Sequence, residues 1–123
     1  MKAKLINLLI FVLFINTMLI YSQETVKSCT ITYIANEGFL IETINSKVLV
    51  DALFGGIRGN WCDQPNDSVS NLMLKGMPPF DSIDLVLVTH KHSDHFNEQM
   101  VINFLTNNKK TVLMCPEQVN EVL

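Results

Sequence analysis

Histidine is scarce in this chain, with three among 123 residues. The sequence also has no C-x-x-C pair, no phosphate-binding glycine loop, no internal repeat and no low-complexity tract. These absences remove a paired-cysteine motif, a nucleotide-type phosphate cradle and a repeat architecture. Basic residues are few as well, nine against twelve acidic, for a net charge of −3. Two of the nine, Lys2 and Lys4, precede residue 23, which leaves seven against twelve, or −5, for the rest. An acidic chain without a basic stripe argues against nucleic-acid binding. Cysteines number three, so at most one pair can close in an oxidising compartment. Cys29 and Cys115 sit in apolar, strand-like text and are expected to be buried as small hydrophobes, whereas Cys62 falls in a loop beside Trp61.

The N-terminus reads as a separate segment. Lys2 and Lys4 precede an apolar run from Leu5 to Ile20, and a polar stretch begins at Ser22 and Gln23. A basic start followed by a short apolar run is the pattern of a secretory signal peptide. The run is short for a membrane span, which needs about 20 residues, and Asn7, Asn16 and Thr17 interrupt it. The expectation is a signal peptide over residues 1–22, cleaved after Ser22, and export to a periplasmic or secreted location. The alternative is a retained membrane anchor over residues 5–20.

From Cys29 onward the text alternates strands and helices. Strands are expected over Cys29–Ile34, Phe39–Ile44 and Lys47–Val50, the last two joined by a tight turn at Asn45-Ser46. Residues 52–80 carry Gly55, Gly56, Gly59, Pro65, Pro78 and Pro79 with few periodic apolars, and read as a long loop. A buried strand is expected over Ile83–Val88, a helix over Asn97–Asn107, a strand over Thr111–Met114 and a short helix from Pro116. Met100, Val101, Phe104 and Leu105 would form the apolar face of the longer helix.

All three histidines lie within six residues, in His90-Lys91-His92-Ser93-Asp94-His95, directly after the Ile83–Val88 run. Imidazole and carboxylate are preferred ligands of zinc and similar divalent ions. In an extended segment His90 and His92 point to one side, roughly 6–7 Å apart. That is close enough to share an ion at Zn–N bonds of about 2.0–2.1 Å. Asp94 and His95 then lie where the chain turns away and can face a second ion. A solvated polar loop is the bland alternative, but strand C-terminal edges are where α/β folds place their sites.

Thr89-His90-Lys91-His92-Ser93-Asp94-His95 resembles the H-x-H-x-D-H signature of the metallo-β-lactamase-fold hydrolases. The upstream strands Ile31–Ile34, Gly38–Glu42 and Val48–Asp51 are similar to the opening strands of that fold. The resemblance covers roughly residues 29–123. It implies an α/β fold, the N-terminal half of an αββα sandwich with a mixed β-sheet and flanking helices, here as a partial domain over residues 23–123. It implies that His90 and His92 ligate a first divalent metal, most simply zinc, and that Asp94 and His95 ligate a second. Asp94 would also be catalytic, by orienting the attacking water. Asp51 would stand behind the ligands as partner to a histidine N–H; a strand-ending turn is the other reading of that residue. Phe54, Arg58 and Trp61 are candidate substrate contacts, or simple loop packing.

The resemblance further implies metal-assisted hydrolysis of a small-molecule ester, lactone, amide or phosphoester, with the lactonase-like branch favoured by the Ile-Thr-Tyr-Ile and Leu-Val-Asp segments. Family members carry another His, a bridging Asp and a last His well downstream, whereas this sequence has no histidine after His95. It stops at Leu123, where the family fold would be half built. The alternative expectation is therefore an inactive metal-binding half-domain or remnant, completed by a C-terminal half from a partner chain. Leu85, Leu87, Phe104 and Leu113 would then be partly exposed.

Overall fold

A computed structural model describes residues 28–123; the expected signal peptide at 1–22 lies outside them. Five strands form one sheet in sequence order: β1 (Cys29–Ala35), β2 (Gly38–Thr43), β3 (Lys47–Val50), β4 (Leu85–Leu87) and β5 (Val112–Met114). The first three pair antiparallel and the last three parallel. The two parallel connections carry α1 (Asp67–Leu74) and α2 (Glu98–Asn107), and α3 (Glu117–Asn120) comes after β5. This mixed sheet with helices on it is the partial α/β domain expected from the sequence.

Alternation along each strand sorts the side chains. Leu40, Leu49, Val86 and Val88 face the helices and join Met73, Phe80, Val101, Phe104 and Val119 in the core. Each fully buried Leu or Phe contributes roughly 1.5–3 kcal/mol. The strand partners of the opposite face are Ile31, Tyr33, Phe39, Ile41, Val48, Val50, Leu85, Leu87, Val112 and Met114, by the register of the ladders. None of the ten is charged. Four of them, Ile31, Tyr33, Val112 and Met114, are more than half exposed.

Several expectations are corrected. The segment 52–80 is not wholly loop, because α1 lies within it. Asn66 caps that helix by accepting from the Val69 N–H at 3.0 Å, and Val69, Leu72 and Met73 supply a short apolar stripe. The β2–β3 turn sits one residue earlier than expected. Thr43 N–H donates to Ser46 O at 2.8 Å, while Thr43 Oγ1 accepts from the Asn45 and Ser46 amides. The threonine hydroxyl replaces a backbone acceptor and fixes the loop at Ile44-Asn45. The Ile83–Val88 run yields a strand of only Leu85–Leu87. Cys29 is exposed rather than buried, because it begins an edge strand, and Cys115 is half-buried against the core. Phe104 is fully buried beneath its helix; Leu85, Leu87 and Leu113 are partly exposed as expected.

Candidate metal centre

The C-terminal ends of β3 and β4 are neighbours in the parallel ladder, so the residues beyond one strand meet those beyond the other. Asp51 succeeds β3 and its N–H donates to Leu87 O at 2.9 Å. It is 3 % exposed, the one buried charged residue among those described, and its φ is 42°. A buried carboxylate needs donors, and Asp51 has three. Thr89 N–H donates to Oδ1 at 2.7 Å, Thr89 Oγ1 donates to Oδ2 at 2.6 Å, and His95 Nδ1 meets Oδ2 at 2.9 Å.

These bonds fix the imidazoles. An ionised carboxylate only accepts, so His95 Nδ1 carries a proton and Nε2 is left as the lone-pair nitrogen of the neutral ring. Nε2 lies 3.6 Å from Asp94 Oδ2. The Thr89 hydroxyl spends its proton on Asp51 and can accept from His90 Nδ1, 3.1 Å away. That arrangement leaves His90 Nε2 as the free lone-pair nitrogen too. A carboxylate behind one ring and a hydroxyl behind another is the support that metal-binding histidines commonly have.

The four predicted ligands are brought together. The ring centroids of His90 and His92 are 4.6 Å apart, edge to face, and those of His90 and His95 are 3.9 Å apart. Among the described residues, no three His, Cys, Asp or Glu side chains are placed to hold one common ion as they stand. A donor set of three imidazoles and a carboxylate fits a divalent ion of zinc type by its chemistry.

The local backbone comes from the sequence. His95 and Phe96 N–H both donate to His92 O, which makes the turn at the end of the histidine motif. Asn97 caps α2 through the Met100 N–H at 3.0 Å. Asn97 also donates from its main chain to Leu53 O and from its side chain to Gly55 O, so the segment after Asp51 is pinned to the end of the motif. Of the three expected substrate contacts, Phe54 is fully buried in packing and cannot touch substrate, while Arg58 and Trp61 are exposed. The Cys62 thiol is pushed above its ordinary value by desolvation and then by the negative charges of Asp94 and Asp63.

Two further residues contribute beyond those expected. Thr89 belongs to the motif in sequence, and in the fold it bridges Asp51 and His90. Asn36 belongs to a turn in sequence, and in the fold its Nδ2 donates to Asp94 Oδ2 at 3.3 Å. Neither role has a sequence signal beyond the motif itself.

The family described as the beta-lactamase superfamily domain matches residues 46–123, which include β3, Asp51 and the whole histidine motif. The chain belongs to the beta-lactamase superfamily. Its fold is of hydrolase type, and members of this superfamily often bind divalent metals. No curated protein and no solved structure matches the chain significantly. In this superfamily chain, the whole β1–β2 hairpin, Asn36 included, lies before the matched residues.

Proposed function

We propose that this chain carries the metal centre of a hydrolase acting on a small-molecule ester, lactone, amide or phosphoester, with lactone-like substrates favoured. The observation that carries this reading is the support behind the imidazoles: Asp51 holds His95 at 2.9 Å and Thr89 lies 3.1 Å behind His90, so each ring can present Nε2. His90 and His92 would hold one divalent ion, and Asp94 and His95 a second where two are bound, with zinc the best fit to nitrogen and carboxylate donors. When bound, such an ion lowers the pKa of a water toward neutrality and polarises the substrate oxygen. Asp94 is the catalytic residue of the set, accepting a hydrogen bond from the attacking water and so orienting it. Asp51 holds the His95 tautomer, and the exposed Trp61 and Arg58 are the candidate substrate contacts.

Zinc analysis of the purified protein beside its His92→Ala and Asp94→Ala variants tests the centre. Lower zinc content in both variants is expected, and equal content in all three would refute it. Export is part of the same proposal, resting on the Lys2/Lys4 start and the Leu5–Ile20 run. Mass spectrometry of the exported protein should find a new N-terminus near Gln23. An intact Met1 form in membranes would favour the anchor, and one confined to the cytoplasm would refute export.

The uncharged outer face of the sheet favours a second reading, in which a partner chain supplies further ligands and the isolated chain is inactive. Zinc-dependent ester or lactone hydrolysis by the isolated chain would exclude it. Retained zinc with negligible turnover is its expected signature.

A further inference from the structure

Asn36 lies in the turn between β1 and β2, outside the metal donor set. Its side chain crosses 58 residues of sequence to reach Asp94. Nδ2 donates to Asp94 Oδ2 at 3.3 Å and lies 3.4 Å from the Asp94 main-chain oxygen. The turn that presents it is seated directly on the segment after β3. Gly38 packs so closely there that a Cβ would meet Ala35 O at 2.9 Å, and Asp51 O and Ala52 Cα at 3.2 Å each. The hairpin and the Asp51 segment therefore form one support. From it, Asp51 reaches His95 and Asn36 reaches Asp94.

Asn36 has φ 45°, in the left-handed region that asparagine adopts more readily than most residues. Two roles are therefore superimposed at this position: a backbone conformation and an amide donor. Glycine would serve the first role as well or better, but it has no donor. The amide is also neutral. It can hold the Asp94 carboxylate in one orientation without cancelling the negative charge that a cation needs, which a lysine there would do.

We propose that Asn36 is a positioning residue for Asp94, and that its amide sets how tightly the centre holds its metal. The proposal rests on the metal-centre reading above. The Asp94 oxygen that Asn36 engages is the one facing His95 Nε2 at 3.6 Å. Without the amide the carboxylate is free to rotate away from the imidazoles. Loss of an outer hydrogen bond to a ligating group typically costs 10–100-fold in metal affinity.

The test is zinc affinity of the isolated protein, measured by competition with a chromophoric chelator, together with thermal unfolding of the zinc-free protein. Asn36→Gly should lower affinity about tenfold or more while leaving zinc-free melting unchanged. Asn36→Ala, which lacks the donor and adds no charge, should lower affinity likewise, and it carries the test should the glycine variant fold poorly. In an Asp94→Ala background, Asn36→Gly should change zinc affinity no further. Wild-type affinity in both Asn36 variants would overturn this proposal alone, as would a glycine effect that persists without Asp94. Absence of any zinc binding by the wild-type protein would overturn it together with the metal-centre reading.

Discussion

Asp51 and His95 are 44 residues apart in sequence and meet with Oδ2 and Nδ1 2.9 Å apart. The contact depends on the parallel pairing of β3 and β4, which sets the end of one strand beside the other. Asp51→Asn would keep an acceptor for the Thr89 amide but present an NH2 group to the Thr89 hydroxyl and His95 Nδ1, which both meet Oδ2. It should lower zinc affinity by about 10–100-fold. Asp51→Ala removes all three acceptor bonds and should also cost about 1–3 kcal/mol of stability. Zinc competition and urea unfolding of both variants check this; unaltered zinc affinity in both would separate Asp51 from the centre.

Gly38→Ala should damage the site without touching it. The added methyl would press on three backbone atoms, those of Ala35, Asp51 and Ala52. Backbone cannot yield as a side chain can, so a loss of about 1–3 kcal/mol is expected. Because the displaced segment carries Asp51, zinc affinity should fall with it. Chemical denaturation and zinc titration of the one variant report both effects.

The outer face of the sheet should drive association. Contiguous exposed apolar surface of this kind marks interaction sites or aggregation liabilities. Val112→Lys and Met114→Lys place charges where the side chains are 61 % and 57 % exposed, so folding should be little affected. Light scattering should show the wild-type protein as oligomers or aggregates and the double variant shifted toward monomer. A wild-type protein that is already monomeric would contradict the prediction.

Lys47 ties the start of β3 to Asp81 at 3.0 Å and to Glu42 at 3.3 Å. Burial lowers the Lys47 pKa, but its bonds to Asp81 and Glu42 outweigh this and leave it raised. The hydrogen bond from Lys47 holds Asp81 below its ordinary value of 3.8. A carboxyl depressed on folding stabilises the protein above its unfolded pKa and loses that contribution as pH falls through the lower folded value. Asp81→Asn should therefore flatten the acid side of the melting-temperature profile below about pH 4, by a small amount because the pair is exposed to solvent. Superimposable profiles would show the pair to be without effect.

The metal motif is legible in the sequence because its donors are crowded into one stretch behind an apolar run, and a run of that kind ends at a sheet edge. Asp51 is legible from its own residues as a strand tip and, through the family resemblance, as partner to a histidine N–H; which histidine it meets is chosen by which strands lie side by side. Asn36 is legible only as a turn: nothing local says that the turn points at Asp94. The helix Asp67–Leu74 is hidden by its length and by the glycines and prolines around it. Cys29 departs from expectation because strand-like text does not say whether a strand lies at the edge of a sheet. Phe104 departs from it because it lies in the core between the sheet and its helices, the face that the helices close.

All four proposed ligands fall between His90 and His95, and this changes what zinc can do for folding. An unfolded chain would carry the same imidazoles and carboxylate on one flexible stretch, close enough to chelate an ion without any tertiary structure. A ligand that binds both states stabilises the native one only by the ratio of its affinities. Zinc should therefore raise the melting temperature by less than its native affinity implies. The increment that remains measures what distant parts of the chain add to a peptide that already chelates: a buried carboxylate from the end of β3, and an amide from the first turn.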